Sequence, residues 1–247
     1  MDIGIQTFTV RKEAKRDVLM TFRTLKLMGV NHIELAYVAL DEQTILAIQE
    51  TGIKVSAIQA TYSKLSKDFN HIVNFANQVG CHNVVVSVLP LRSILFGMNA
   101  IKHFSRQLNS LNQRYIAKGF QIGFHHHDFE FKQVNGKTKL DWILSHTDPT
   151  IGIVSDTYWT KKAGYDPIVI LKKIGKRLLG VHLRDIQENH RKDTILGTGM
   201  IDFKNIVAFL KDQQVYQVIE QNSKNPLSDV HQSIQYLEKI KKQFSAR

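Results

Sequence analysis

Side chains that can bind a divalent metal follow four short apolar runs of this 247-residue sequence. Apolar runs of about four to six residues are typical of buried parallel strands, whose C-terminal ends lie at one edge of a sheet. Carboxylates and imidazoles gathered there suit Mn²⁺, Mg²⁺, Co²⁺ or Zn²⁺ rather than copper or an iron–sulfur cluster. The residues concerned are Asp156 after residues 151–155, His182 after 178–181, Glu220 after 216–219, and His125, His126, His127, Asp128, Phe129 and Glu130 after 121–124. We predict that Asp156, His182 and Glu220 are metal ligands.

The fourth ligand remains open among His125, His127 and Glu130. We favour Glu130, because a second glutamate gives the oxygen-rich shell that these ions prefer. Alternation along a strand places His125 and His127 on one face and turns His126 away. His125 would then contact substrate, and His127 would contact substrate or transfer protons.

Arg184 is two residues beyond His182, so alternation places both side chains on the same face. If His182 faces the metal, the guanidinium of Arg184 can hold a substrate oxygen or an anionic group. The alternative is a surface ion pair between Arg184 and Asp185.

Further polar and aromatic side chains stand at or just beyond strand ends, where they could contact a substrate. Gln6, Glu34 and Gln59 offer the donors and acceptors that a polyhydroxylated ligand needs. Each could instead bond to a local loop amide. Trp159 could form the apolar wall of a sugar site or pack on the next helix.

These residues can meet at one site only if the strands that carry them all run in the same direction. The chain alternates strand-like and helix-like segments about eight times, as a parallel sheet requires. The predicted strands are residues 3–6, 32–35, 55–58, 83–88, 121–124, 151–155, 178–183 and 216–219. Apolar residues at helical spacing lie between them, and glycines end several of these segments (Gly29, Gly52, Gly80 and Gly119). This pattern predicts an α/β protein with a single (β/α)₈ TIM-barrel domain over residues 1–247. An open doubly wound sheet would carry a glycine-rich loop after the first strand, and this sequence has none there.

Composition agrees with a globular protein and points to the cytoplasm. The single cysteine, Cys81, suits a reducing compartment. The N-terminus has no signal-peptide pattern, and no apolar stretch approaches the ~18 residues that a membrane helix needs. The net charge of +11 is scattered, with small clusters at residues 172–177 and 239–242 that we interpret as solvated helix faces. We therefore expect neither a nucleic-acid nor a membrane partner.

Six segments, in order along the chain, resemble the xylose isomerase-like TIM-barrel family and, within it, the sugar phosphate isomerase/epimerase branch. They are residues 4–11, 123–131, 156–159 with 163–167, 181–185, 196–203 and 218–221. The resemblance implies a divalent metal held by Asp156, His182 and Glu220. Many relatives end strand five with a glutamate ligand, and this chain has His125 there. Arg184 stands where relatives usually have a lysine.

The resemblance also implies a reaction. A metal-polarised ketose or keto-sugar would lose the proton beside its carbonyl to Glu220, and Arg184 would help hold the enediolate. Reprotonation would make the protein an isomerase or epimerase, with His127 and Glu130 as further acid–base groups.

Three alternatives stay open. Expulsion of a hydroxyl would make the protein a keto-polyol dehydratase of the inosose type, with His127 as the acid. An endonuclease IV-like nuclease would need histidines at the ends of early strands, where this chain has none. A barrel that binds sugar without turnover would explain why this chain has His125 where many relatives have a glutamate. In every case except the nuclease we expect a small carbohydrate ligand, and relatives suggest a homo-oligomer.

Overall fold

The computed structural model describes residues 2–189 and 192–245. Within these residues, eight parallel strands close into a barrel in which each strand pairs with its neighbours in the chain and the last pairs with the first. The strands are β1 (Gly4–Gln6), β2 (His32–Leu35), β3 (Lys54–Ala60), β4 (Asn83–Val86), β5 (Gln121–His125), β6 (Gly152–Asp156), β7 (Leu178–Leu183) and β8 (Tyr216–Ile219). The predicted (β/α)₈ TIM barrel is confirmed.

Helices connect successive strands, as parallel pairing requires. They are α1 (Arg11–Arg16), α2 (Val18–Leu27), α3 (Glu42–Thr51), α4 (Tyr62–Lys67), α5 (Phe69–Gln78), α6 (Leu91–Leu95), α7 (Met98–Ile116), α8 (Lys139–His146), α9 (Thr157–Lys162), α10 (Pro167–Ile174), α11 (Phe203–Leu210) and α12 (Pro226–Ser245). None of the helices in the described ranges combines the length and the apolar character needed to cross a bilayer.

Two apolar clusters hold the barrel together. The larger one lies between strands and helices, and it includes the fully buried Phe22, Phe104 and Phe203. The smaller one consists of Ala57, Val85 and Val154, with Leu179 and Tyr216 packed against it. Because these five residues come from five different strands, the smaller cluster fills the barrel interior.

The predicted helix ends agree with the backbone. Gly52 is the C-terminal cap of α3 at φ 61°, a left-handed conformation that strains any residue with a Cβ. Gly29, Gly80 and Gly119 also have positive φ at the ends of their helices.

Short elements in the connections were not predicted from the sequence. They include α1, α4 and α6 and two hairpins, Gln133–Val134 with Lys137–Thr138 and Asp185–Ile186 with Asp193–Thr194. The helix α4 has six residues and buries only Leu65, so it has no apolar period to detect. The second hairpin matters for the site, because Asp193 faces Arg184.

Candidate metal centre

Four buried side chains meet at the C-terminal end of the barrel. They are His125 at the end of β5, Asp156 at the end of β6, His182 in β7 and Glu220 directly after β8. One donor atom from each lies within 4.8 Å of the others. Four consecutive strands thus deliver two imidazoles and two carboxylates to one point.

The imidazole of His182 is oriented by a carboxylate behind it. Its Nε2 lies 3.0 and 3.1 Å from the two oxygens of Glu34, which is fully buried. Its Nδ1 lies 2.8 Å from Oε2 of Glu220 and 3.9 Å from Oδ2 of Asp156. In the tautomer that donates from Nε2 to Glu34, the lone pair of Nδ1 faces the two carboxylates. Such a carboxylate–histidine pair is how proteins commonly orient a metal-binding imidazole.

The imidazole of His125 is oriented by a backbone carbonyl. Its Nδ1 lies 3.2 Å from the carbonyl oxygen of Ser87. Because a carbonyl can only accept, the proton belongs on Nδ1 and the lone pair on Nε2. Nε2 is buried without a hydrogen-bond partner among the described residues and lies 3.6 Å from Oδ2 of Asp156.

Each carboxylate turns one oxygen toward the imidazoles, and its other oxygen accepts a hydrogen bond elsewhere. Oδ1 of Asp156 accepts a hydrogen bond from the backbone N of Trp159 and caps α9, which leaves Oδ2 for the centre. Oε1 of Glu220 accepts from Nη1 of Arg184 at 2.9 Å, while Oε2 faces His182.

This set fits a divalent metal ion. The buried Nε2 of His125 lacks a partner, Nδ1 of His182 faces two carboxylate oxygens, and all the donors are types that such ions accept. Sequence reasoning identified Asp156, His182 and Glu220, and the structure brings them together.

The group does not include Glu130, which we favoured from the sequence as the fourth ligand, and His125 lies with the other three side chains instead. Glu130 is fully buried, and its Oε2 accepts from the backbone N of His127 at 2.7 Å. The reason is local: Phe129–Phe131 forms a turn of 3₁₀ helix directly after β5. This turn folds the glutamate back onto the backbone rather than into the barrel mouth.

The guanidinium of Arg184 reaches the same centre as His182, as alternation predicted. Nη1 lies 3.3 Å from Oδ2 of Asp156 and 2.9 Å from Oε1 of Glu220, and Nη2 lies 2.8 Å from Oδ2 of Asp193. The alternative pairing with Asp185 is not found. The Asp185 carboxylate instead accepts from four backbone N–H groups, those of Ile186, Gly197, Gly199 and Ile201.

A cavity of about 420 Å³ opens above the centre. Of the predicted site residues, its walls include Gln6, Gln59, His125, His127, Trp159, Arg184 and Glu220. Glu34 is not among the lining residues, because its carboxylate lies behind His182 and bonds to Nε2 of that imidazole.

Sequence reasoning missed several lining residues. They are Phe8, Tyr37, Ser87, Val88, Lys192, Asp193 and Asn222. Phe8 could have been found, because it follows Gln6 by two residues just beyond β1. Tyr37 carried no signal in the sequence, although its backbone has an unusual φ of 59° and its side chain is exposed at the rim. Lys192, Asp193 and Asn222 lie in connections between barrel strands, whose paths depend on contacts between distant segments.

The charges around the centre favour a cation at Nδ1 of His182. Burial lowers the pKa of His182, but the carboxylates of Glu34 and Glu220 outweigh burial and raise this pKa to about 10. Burial raises the pKa of the Glu220 carboxyl, yet Arg184 and then His182 bring it well below its ordinary value. Nδ1 is therefore a place where either a proton or a metal ion is stabilised.

The other two imidazoles of the cavity are neutral at pH 7. Burial, and then the neighbouring His182, lowers the pKa of His125 to about 3. Burial, and then His125, lowers the pKa of His127 to about 3. His127 lies against Trp159, with ring centroids 5.1 Å apart, and its Nδ1 has no hydrogen-bond partner in the described residues.

Comparison with solved structures supports the fold. A sugar phosphate isomerase/epimerase from Parabacteroides distasonis superposes with a TM-score of 0.81 at 20% identity, covering 96% of this chain and 93% of that chain. The 3-keto-D-glucoside 4-epimerase YcjR from E. coli superposes with a TM-score of 0.71 at 21% identity, covering 97% and 99%. A probable 3-DHS dehydratase, AsbF, from Bacillus anthracis superposes with a TM-score of 0.76 at 12% identity, covering 96% and 99%.

Comparison with curated proteins finds matches of higher identity that cover only part of each chain. An inosose dehydratase from Clostridium tetani is 30% identical over 129 residues, which is 45% of this chain and 43% of that protein. An inosose dehydratase from Clostridium beijerinckii is 27% identical over 186 residues, 63% and 61% respectively. The matched regions thus span less than two thirds of these relatives. A family model for the xylose isomerase-like TIM barrel matches residues 22–240. Together with the closed barrel, this match shows that the chain belongs to the xylose isomerase-like TIM-barrel family.

Proposed function

We propose that this protein is a divalent-metal-dependent isomerase or epimerase of a sugar or keto-sugar. The observation that carries the proposal is the meeting of His125, Asp156, His182 and Glu220, two of which, His125 and Glu220, line the 420 Å³ cavity. Isomerases, epimerases and dehydratases are named among its relatives and structural neighbours, and all of these can begin with loss of a proton beside a carbonyl.

The cavity walls support a polyhydroxylated ligand. Nε2 of Gln6 donates to Oε1 of Gln59 at 3.1 Å, which leaves the buried Nε2 of Gln59 without a partner among the described residues. Nε1 of Trp159 is likewise buried and without a partner there. A ligand rich in hydroxyl and carbonyl oxygens would accept from both groups.

Four atoms would hold the metal: Nε2 of His125, Oδ2 of Asp156, Nδ1 of His182 and Oε2 of Glu220. When bound, a divalent ion supplies polarisation of a substrate carbonyl, which acidifies the neighbouring C–H. Glu220 is ionised at neutral pH, so its carboxylate can accept the proton without first losing one of its own. Arg184 balances the charge beside it through the bond to Oε1.

His127 supplies a second proton-transfer group in the wall of the same cavity. It follows β5, whereas Glu220 follows β8, so two strands of the barrel separate them. Epimerisation needs one group to remove the proton and another to return it on the opposite face. Glu130 holds the backbone of His127 and acts on the reaction only through that contact.

The test is proton–deuterium exchange. Protein loaded with Zn²⁺, Co²⁺ or Mn²⁺ is incubated in D₂O with a panel of ketoses and keto-inositols, and proton NMR follows the carbon beside the carbonyl. We expect exchange by the unsubstituted protein and by Glu42→Gln, an exposed surface control, with a loss of at least ~100-fold in Glu220→Gln. Full metal occupancy without exchange on any substrate would contradict the proposal and favour a barrel that only binds sugar.

A keto-polyol dehydratase is the second candidate. The unpartnered Nδ1 of His127 supports it, because a positioned imidazole can protonate a departing hydroxyl once it carries the proton. The similarity to inosose dehydratases also supports it. Dehydration builds ultraviolet absorbance that epimerisation does not, and His127→Gln should then slow loss of the hydroxyl more than exchange of the C–H proton.

A nuclease of the endonuclease IV type has little support. The metal group found in the described residues comes only from β5 to β8. His32 stands at the start of β2 and bonds to Ser56, far from the C-terminal ends of the strands. Cleavage of abasic DNA by the metal-loaded protein would reverse this judgement.

A further inference from the structure

We infer that this centre selects Zn²⁺ or Co²⁺ over Mn²⁺ and Mg²⁺, and that His125 is the residue that sets this selectivity. The inference rests on the metal site of the proposed function and goes beyond it by naming the class of ion. Three features of the described residues support it: the nature of the donors, the charge beside them and their burial.

The first feature is the pair of nitrogen donors. Nε2 of His125 and Nδ1 of His182 are the ring nitrogens left for a metal, because Ser87 and Glu34 accept hydrogen bonds from the opposite ring nitrogens. Imidazole nitrogen binds Zn²⁺ and Co²⁺ well, whereas Mg²⁺ and Mn²⁺ prefer carboxylate, carbonyl and water oxygens. Half of the donors at this centre are therefore of a type that the harder ions bind poorly.

The second feature is a fixed positive charge. The Arg184 guanidinium contacts both carboxylate members of the group, at 3.3 Å from Asp156 and 2.9 Å from Glu220. Attraction between charges is the main force that holds Mg²⁺, and a neighbouring cation weakens it. An imidazole nitrogen also shares its lone pair with a softer ion such as Zn²⁺. This bond depends less on the negative charge of the carboxylates, so the guanidinium weakens it less.

The third feature is burial. The side chains of His182 and Asp156 are fully buried, and those of His125 and Glu220 are at most 9% exposed. Zn²⁺ accepts three or four protein donors, whereas Mg²⁺ gives up its water reluctantly and usually keeps several molecules. A centre enclosed by four side chains disfavours an ion that arrives with a water shell.

The experiment compares metal affinities in the full chain after a chelator has removed all metal. The dissociation constants for Zn²⁺, Co²⁺, Mn²⁺ and Mg²⁺ are measured by competition with a chromogenic chelator, and bound metal is counted by elemental analysis. Every nitrogen-containing site favours Zn²⁺ to some degree, so the quantity that decides is the ratio of the Zn²⁺ to the Mn²⁺ affinity in each variant.

The variants are His125→Glu, which replaces the nitrogen donor by a carboxylate, and His126→Gln as its matched control. His126 is the adjacent histidine and is not a member of the group; its Nε2 bonds to Ser155 and accepts from the backbone N of Asp156, contacts that the glutamine amide can also make. We expect His125→Glu to lower the Zn²⁺-to-Mn²⁺ ratio by about tenfold or more, with little change in the control. Visible absorption of bound Co²⁺ should shift in His125→Glu alone, and circular dichroism checks that both variants fold.

The results separate this inference from the proposed function. An unchanged ratio in folded His125→Glu, or Mn²⁺ or Mg²⁺ binding as tight as Zn²⁺ in the unsubstituted protein, would overturn the selectivity. Failure of every ion to bind would overturn both proposals. Tight, selective Zn²⁺ or Co²⁺ binding without deuterium exchange would leave the selectivity standing and contradict only the enzymatic proposal.

Discussion

At the scale of single residues, the centre depends on groups outside the set of four donor side chains. Glu34 and the carbonyl of Ser87 decide which nitrogen of each imidazole carries the proton, and therefore which nitrogen is free. Such outer contacts commonly change metal affinity by about 10–100-fold. Glu34 thus belongs to the candidate centre as much as the four side chains that meet there.

We predict that Glu34→Gln weakens metal binding by about 10–100-fold while the protein stays folded. The amide can still bond to Nε2 of His182, but it can present either its oxygen or its nitrogen and no longer enforces one tautomer. Metal content after dialysis and the dissociation constant for Zn²⁺ are the measurements. Affinity equal to that of Glu42→Gln would contradict the role assigned to Glu34.

Glu130 is a second buried carboxyl whose effect should be visible in stability. Burial, opposed in part by the backbone N–H of His127, raises its pKa from 4.5 to about 8. Below pH 4.5 the group is protonated in both folded and unfolded chains and has no effect. As pH rises from 4.5 to about 8 the unfolded chain releases the proton first, so the folded state loses stability over that interval.

We predict that Glu130→Gln removes this pH dependence. The glutamine oxygen can still accept from the backbone N of His127 and carries no charge. The variant should gain stability over the unsubstituted protein as pH rises: the difference between their free energies of unfolding should grow by ~2–4 kcal/mol from pH 5 to pH 8. Urea unfolding at the two pH values measures the difference, with Glu42→Gln as control. Parallel stability curves for the unsubstituted protein and Glu130→Gln would show that the buried carboxyl is not destabilising.

At the scale of elements, the positions of β7 and β8 determine the distances in the centre. These strands pair in register from Tyr216 opposite Gly180 to Ile219 opposite Leu183, and they carry His182 and lead into Glu220. The ring of Tyr216 lies against Gly180, where a Cβ would meet it closer than real Cβ contacts occur. Glycine at this position therefore lets the tyrosine fill the barrel interior.

We predict that Gly180→Ala destabilises the protein by about 1–3 kcal/mol, because the added methyl group overpacks the interior. Gly97→Ala is the control, since its nearest neighbour, a methyl group of Val134, is 4.0 Å away. Urea unfolding provides the comparison. Equal effects of the two substitutions would mean that Tyr216 moves aside at no cost.

At the scale of the whole molecule, the centre joins four strands through one cluster of charges. A metal that binds only the folded chain adds RT ln(1 + [L]/Kd) to its stability, about 2.7 kcal/mol at one hundred times Kd. We predict that Zn²⁺ raises the melting temperature of the stripped protein and that Asp156→Ala and Glu220→Ala lose most of this increase. If both variants keep the full increase in melting temperature of the unsubstituted protein, the ion binds elsewhere.

The net charge of +11 has a structural as well as a solvation role. Lys172, Lys173 and Lys176 are exposed, as solvated helix faces would be. Arg177 departs from that interpretation: its guanidinium donates to the backbone carbonyls of Leu144 and Ile151, and so ties α8 to the start of β6.

The sequence by itself determined the barrel and three members of the centre. Apolar runs and helical periods are local properties, and an ordered series of eight parallel strands has one closed solution that places Asp156, His182 and Glu220 at the same end. Only the tertiary structure shows that His125 rather than Glu130 lies with them, that Arg184 pairs with Asp193, and that Glu34 lies behind His182. These depend on how loops turn and how rings rotate against residues distant in the chain, and neither spacing nor periodicity records such contacts.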